Sequence, residues 1–457
     1  MEGQNFFRGK KVTVMGLGLL GRGIGDAAYI AESGAAEVIV TDLKTKEQLE
    51  ESFNRLKGFS NVRFVFGEHR LEDFENRDLI LVAAGVPMDS EFVTHARESG
   101  ARVVQSAALF AELSGIPIVG ITGTRGKSTV THMIYHTLCQ TFDGNILLGG
   151  NVRGLSNLQL LKQVAEDSIA VMELDSWQLQ GFGWAKISPH VAVFTNFMED
   201  HMNYYKGDMD AYFADKANIF KYQNDHDTLV TTPEVFEWAK KLTGVTLSQE
   251  VVLVDDSIIP EDAKLAMPGE HNRLNAALAY KALEALGLTE EEIFSGLASF
   301  PGVEGRLQYL GEINDVKIYN DNNATTPQAV IMGMKAVGNV DDKNVIWLGG
   351  GAKKDIDTTE LLATIPQYCK KVVFLEGTGT AALLESHQGS NSTGNSTIAG
   401  VEVEVVGSMA EAVKAGLAAG EPGDVLLFSP GFASFGLYRN EYERNDEFIE
   451  IINSYHE

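Results

Sequence analysis

Gly123-Thr124-Arg125-Gly126-Lys127-Ser128-Thr129 directly follows the apolar run Ile118–Thr122. Val130, Met133, Ile134, Thr137 and Leu138 come next at helical spacing. Strand, glycine loop, Lys-Ser and helix, in that order, form a phosphate cradle built from backbone N–H groups. Lys127 would reach the β- and γ-phosphates, and Ser128 or Thr129 would ligate Mg2+. Ile121 stands where the longer form of this loop has its first glycine, so the chain carries a shorter variant.

Further polar groups follow this loop. Glu173 and Asp175 come after the apolar run Ile169–Val171, and carboxylates ending a strand beside a phosphate loop are placed for Mg2+. Val191–Phe194 leads into Thr195-Asn196-Phe197-Met198-Glu199-Asp200-His201. A histidine after two carboxylates can ligate a hard metal, hold a phosphate or simply sit in a surface loop. Lys216 shares a helical apolar face with Tyr212, Phe213, Ala217 and Phe220. Lysines are rarely buried unpaired, so this one either snorkels from the edge of that face or turns inward to a metal or phosphate. Gly269-Glu-His271-Asn272-Arg-Leu-Asn275-Ala276 opens a helix with polar groups that cap it or touch an adenine or phosphate.

A second glycine loop lies near the start, Gly16-Leu-Gly18-Leu-Leu-Gly21, with Asp42 ending the next strand-like run. Read alone it suits the diphosphate of NAD, a different nucleotide diphosphate, or a turn with no ligand. An NAD-linked oxidoreductase would leave the loop at 123–129 and the Glu173, His201 and Lys216 set without a purpose.

These residues need a scaffold of parallel strands. Apolar runs at Lys11–Met15, Glu37–Thr41, Arg63–Phe66, Leu79–Ala83 and Arg102–Gln105 alternate with helix-length segments, the pattern of βαβ units. The same rhythm returns at Val316–Tyr319, Val345–Leu348, Lys371–Leu375, Val401–Val406 and Asp424–Phe428. Gln388–Gly400, rich in Ser, Asn, Thr and Gly, reads as a mobile loop. The 457 residues therefore divide into three α/β domains, 1–105, 106–301 and 302–457, the outer two Rossmann-like and the central one P-loop ATPase-like.

Charge narrows the function. With 63 acidic and 37 basic side chains the formal charge is −26, which repels nucleic-acid backbones. Phosphate ligands must be held by local groups. Two cysteines, Cys139 and Cys369, exclude a disulfide scaffold and fit a reducing compartment. No signal-peptide pattern and no apolar run of about 18 residues occurs, so a cytoplasmic protein without membrane insertion is expected.

Taken together, G-T-x-G-K-S at 123–128, E-L-x-S-x-Q-L at 173–179, N-x-x-x-D-H at 196–201, Lys216 and H-N-x-x-N-A at 271–276 resemble the Mur ligase family. The likeness runs over almost the whole chain. The first glycine loop, Gly149-Gly150-Asn151 and Ser429-Pro430-x-x-Ala433-Ser434 resemble its D-glutamate-adding branch. That resemblance implies an ATP-dependent amide ligase of peptidoglycan precursor synthesis that works through an acyl phosphate. Its substrates would be UDP-N-acetylmuramoyl-L-alanine and D-glutamate, with L-glutamate or another amino acid as the alternative.

The same resemblance implies roles for single residues. ATP would meet Gly123 to Thr129, Asn272, Asn275, Arg306 and Asp321. The UDP substrate would meet Gly18, Leu19, Leu20, Asp42, Lys44, Gly85, Asn151, Ser176, Gln178 and His201. The amino acid would meet Thr325, Lys353, Ser434 and Phe435. Two Mg2+ ions would lie among Ser128, Glu173, His201 and Lys216, the last carbamylated by CO2, and Lys127, His201 and Lys216 would be catalytic. A monomer is implied. The chain departs from the family at Arg125 for Asn, Gly305 for His, Gln308 for Glu, Asn323 for Lys and Glu441 for Phe.

Overall fold

Strands buried along their whole length read as unbroken apolar runs, and such strands belong inside parallel sheets covered on both faces. Ile118–Thr122 and Val345–Gly350 are of this kind, with every residue buried. The computed structural model describes residues 5–18, 21–242, 247–261, 263, 265, 267, 269–353, 356–387, 389–390, 396–434 and 436–456. Its fold is α/β, with three sheets. By internal contacts the chain forms two units, Met1–Glu261 with Leu274–Leu297, and Asp262–Arg273 with Ala298–Glu457.

The first unit holds two sheets. β1 (Lys11–Met15), β2 (Glu37–Asp42), β3 (Val62–Phe66), β4 (Leu79–Val82) and β5 (Arg102–Val104) are ordered β3-β2-β1-β4-β5, all parallel. The order reverses at β1, and a ligand crevice opens at such a reversal beyond the strands' carboxyl ends. The first glycine loop leaves β1 at that point. β6 (Ile118–Thr122), β7 (Ile146–Gly150), β8 (Ile169–Glu173), β9 (Val191–Phe194), β10 (Thr228–Thr231) and β11 (Glu250–Leu253) form the second sheet, ordered β11-β10-β9-β6-β8-β7. β6 therefore lies between β8 and β9, and the loops after all three emerge side by side.

The second unit holds β12 (Gln308–Ile313), β13 (Val316–Asn320), β14 (Val345–Gly350), β15 (Cys369–Leu375), β16 (Gly389–Ser390), β17 (Ser396–Ile398), β18 (Val401–Val406) and β19 (Val425–Phe428). Their order is β12-β13-β19-β14-β15-β18-β17-β16. β12 and the short β16 and β17 are antiparallel to their neighbours; the others run parallel. The segment expected to be a mobile loop is thus in part a strand pair. Gly389 and Ser390 pair with Thr397 and Ser396, and the turn between β17 and β18 lets Ile398 bury in the core. Apolar clusters fill both faces of this sheet, one around Trp347 and Phe374 and the other around Ile346, Leu426 and Phe428.

Candidate active site

The phosphate loop is fixed by the segment that follows β9. Thr124 N donates to Asn196 O at 3.0 Å, and Arg125 N donates to Asn196 Oδ1 at 2.8 Å. Thr195 Oγ1 donates to Arg125 O at 2.6 Å, and Met198 N donates to Thr124 Oγ1 at 3.0 Å. Close approach explains the glycines. A Cβ on Gly123, at φ +145°, would lie 1.9 Å from Thr195 Oγ1. One on Gly126, at φ +81°, would lie 2.4 Å from Asn275 Oδ1, which places Asn275 against the loop. Lys127 starts the helix Lys127–Thr141 and folds its Nζ back onto Gly123 O at 3.0 Å and Thr124 O at 3.2 Å. Ser128 and Thr129 are buried in that helix's first turn. N–H groups there, Lys127 and the absence of a Cβ suit a bound polyphosphate.

Lys216 does not snorkel. It lies in the last turn of the helix Met209–Ala217 and is 2% exposed. Its Nζ donates to Gly123 O at 2.8 Å and reaches Thr122 Oγ1 at 3.5 Å, so it sits directly under the phosphate loop. Burial, with the Lys127 charge adding to it, lowers its pKa to about 7. Asp175, Asp200 and Glu173 act on it in the opposite direction.

Glu173 ends β8 as a buried carboxylate, and its Oε1 accepts from Asn151 Nδ2 at 3.3 Å. Asn151 N donates to Glu173 O at 2.7 Å, and Asn151 Oδ1 accepts from Arg22 Nη1. Asp175 and Gln178 form a capping box on the helix Ser176–Ala185, with Ser176 buried at its start. The Gln178 side-chain oxygen therefore serves Asp175 N, although the residue also lines the cavity beside the first glycine loop. Loss of solvent around its carboxyl raises the Asp175 pKa.

His201 takes the left-handed conformation, φ 55°, ahead of the helix Met202–Tyr205. Its ring lies 4.7 Å from that of Trp177, and Nε2 is 3.8 Å from Asp200 Oδ2. Burial lowers its pKa and favours the neutral imidazole. Asp200 also pairs with Arg125 at 3.3 Å.

At the first glycine loop, Gly16, Gly18 and Gly21 all have positive φ. Asp42 is buried, its Oδ2 accepting from Leu17 N at 2.8 Å and its Oδ1 from Lys44 N at 2.9 Å. It thus ties the loop to the end of β2, with Lys44 Nζ 3.8 Å away. Gly85, at φ +88°, turns the chain after β4. Leu19 and Leu20 lie outside the described residues, as does Phe435.

The second unit gathers the remaining residues at the carboxyl ends of β13, β19 and β14, three adjacent strands. Asp321 accepts from Leu307 N at 3.1 Å and from Ser429 Oγ at 2.9 Å, and burial raises its pKa to about 7. Half-buried Arg306 lies in the turn just before Leu307. Gly431 N donates to Ala324 O, joining the loops that carry Thr325 and Ser434. Ala352 pairs with Ala433, which brings the Lys353 segment alongside. Lys353 N donates to Thr378 Oγ1 at 3.0 Å. Asn272 is buried in the same unit, and its N donates to Gly269 O.

Three roles escaped the sequence reading. Thr195 and Asn196 fasten the phosphate loop. Arg444, on the helix Glu441–Ser454, is 1% exposed and donates to Asn322 Oδ1, Asn322 O and Phe432 O. Burial lowers its pKa to about 10. Arg22 is the third. Among the described residues no three His, Cys, Asp or Glu side chains converge as a ready metal site. The oxygen donors Ser128 and Glu173 nevertheless suit Mg2+, and a lysine amine this easily deprotonated suits CO2 addition.

Residues 121–251 match the family description "Mur ligase middle domain", and residues 305–432 match "Mur ligase, glutamate ligase domain". The UDP-N-acetylmuramoylalanine–D-glutamate ligase of Roseiflexus sp. (strain RS-1) is 31% identical, covering 98% of this chain and 99% of its own. The protein of the same name from Streptococcus sanguinis (strain SK36) is 32% identical over 97% of both chains. Among solved structures, UDP-N-acetylmuramate-alanine ligase from Thermotoga maritima aligns over 97% of this chain and 99% of its own, with TM-score 0.59 and 18% identity. MurF ligase from the same organism, in complex with ADP, aligns over 99% and 96% with TM-score 0.58 and 16% identity, again a likeness of fold. Phosphate loop, buried lysine and a similarity to these D-glutamate ligases that runs over nearly the whole chain agree: the chain belongs to the Mur ligase family.

Proposed function

We propose that this protein is an ADP-forming ligase that joins D-glutamate to UDP-N-acetylmuramoyl-L-alanine in peptidoglycan precursor synthesis. The observation that carries the catalytic half is the buried Lys216 amine on the Gly123 carbonyl, beneath a loop built for polyphosphate. The choice of substrates rests on the relatives' names.

A carboxylate resists amines because its leaving group would be oxide. Transfer of the ATP γ-phosphoryl to the alanyl carboxylate gives an acyl phosphate and ADP. The D-glutamate amine then attacks the carbonyl carbon, loses a proton, and inorganic phosphate departs with one former carboxylate oxygen. Transfer between anions demands neutralised charge and in-line positioning. Lys127 and the first-turn N–H groups of its helix supply part of that charge. Ser128, Glu173, His201 and Lys216 would hold two Mg2+ ions, which when bound neutralise the phosphates and the acceptor carboxylate. Burial keeps much of the Lys216 amine neutral near pH 7, the form that adds CO2 at nitrogen and releases a proton to become a carbamate. That converts a cation into an oxygen ligand.

On this reading residues 1–105 hold the UDP moiety through Gly18, Leu19, Leu20, Asp42, Lys44 and Gly85, with Asn151, Ser176, Gln178 and His201 completing the acceptor site. Residues 106–301 hold ATP through Gly123 to Thr129, Asn272 and Asn275. Residues 302–457 add Arg306 and Asp321 for the nucleotide and Thr325, Lys353, Ser434 and Phe435 for the amino acid. No described helix is long and apolar enough to cross a membrane. The protein acts as a cytoplasmic monomer, where ATP and UDP-linked precursors are available. ADP formation with UDP-N-acetylmuramoyl-L-alanine and a panel of D- and L-amino acids tests the proposal. Turnover with D-glutamate supports it; turnover only with another amino acid keeps the mechanism and reassigns the pocket.

A further inference from the structure

Arg22 follows the last glycine of the first loop and opens the helix Arg22–Glu32. It is half-buried and lines a cavity of about 170 Å3 together with Gly16, Leu17, Gly18, Asp26 and Gln178. Its Nη1 donates to Asn151 Oδ1, and Asn151 in turn holds Glu173. Among the described residues no carboxylate pairs directly with Arg22. Asp26, one turn further on, instead accepts at Oδ1 from Ser156 Oγ at 2.6 Å and from Leu158 N at 3.0 Å, and it and Asp175 attract Arg22 only at longer range.

A half-buried guanidinium without an ion pair is unusual in a chain of net charge −26. Its fork has five N–H donors, so the Asn151 contact leaves donors for a ligand. Beside it, positive-φ glycines allow close backbone approach at the start of an 11-residue helix. Arginine grips phosphate oxygens bidentately, which a lysine cannot do. We infer that Arg22 is a binding residue for the diphosphate of the UDP-linked acceptor, held in position by Asn151. This rests on the ligase reading and adds to it a residue outside the motifs that suggested it.

Isothermal titration of the whole protein with UDP and with uridine tests the inference. Arg22→Gln keeps a donor for Asn151 but removes the charge, and Arg22→Lys keeps the charge but not the fork. The glutamine variant should bind UDP about tenfold to a hundredfold more weakly, with uridine binding unchanged. The lysine variant should fall between it and the parent. In turnover, KM for the acceptor should rise while KM for ATP holds. UDP affinity within twofold of the parent, or equal losses for UDP and uridine, would overturn the inference and leave the ligase reading standing. A parent protein that binds no UDP would overturn both.

Discussion

Asp321 carries a cost that pH should expose. Its carboxyl has a pKa of about 7 in the fold against 3.8 for an ordinary aspartate, because burial outweighs its hydrogen bonds to Ser429 and Leu307. A raised carboxyl pKa favours the folded state most below pH 3.8, and that advantage is lost as pH rises to about 7. The full difference of about three units corresponds to about 4 kcal/mol, at 1.36 kcal/mol per unit. Near pH 5 only about 2 kcal/mol of that cost has developed. Asp321→Asn removes the titration. The amide oxygen can still accept from Leu307 N, and the Ser429 hydroxyl can rotate to accept from the new amide N–H. Urea unfolding of both proteins, followed by tryptophan fluorescence, should therefore show the variant gaining about 2–3 kcal/mol on the parent between pH 5 and pH 8. Any pH-independent packing change cancels from that difference. The same substitution should raise KM for ATP about twofold to tenfold if the carboxylate holds the ribose. Stability curves that stay parallel over this range would show that Asp321 titrates near the ordinary value, and the burial argument would fail.

Three other expectations come from the same geometry. Lys216→Ala should lower kcat by about a hundredfold or more with the fold retained, and added short carboxylic acids should restore part of it; full activity without them would make Lys216 structural. Gly123→Ala should abolish ATP binding measured by calorimetry, because its Cβ would fall 1.9 Å from Thr195 Oγ1. Arg444→Met should destabilise the protein by about 2–4 kcal/mol by leaving the Asn322 and Phe432 oxygens unsatisfied. It should also raise KM for the amino acid more than KM for ATP, since the Ala324 and Ser434 loops lose a common anchor; a uniform loss of kcat alone would argue against that.

Local patterns carried the phosphate loop, the carboxylates after β8 and the lysine under the loop. Each is a short segment whose residue types answer a local demand: positive φ at Gly126, an N-cap at Asp175, one helical face at Lys216. The adjacent strands β9, β6 and β8 then bring those segments together because parallel strands end on one side. Much of the rest depends on distant partners. Arg444 looks like any helical surface arginine until the fold places it against Asn322, 122 residues away. Arg22 meets Asn151 across 129 residues in the same way. β10 and β11 are short runs that no neighbouring motif sets apart, unlike β9, which leads into the His201 segment. The Ser- and Asn-rich stretch read as loop because its strands are very short and pair only at the sheet edge.

The acyl phosphate can be tested through the fate of one oxygen atom. UDP-N-acetylmuramoyl-L-alanine labelled with oxygen-18 in the alanyl carboxylate is turned over with ATP and D-glutamate, and the released phosphate is examined by mass spectrometry. Activation by γ-phosphoryl transfer predicts one labelled oxygen in each phosphate released. Peptide formation with unlabelled phosphate would contradict it.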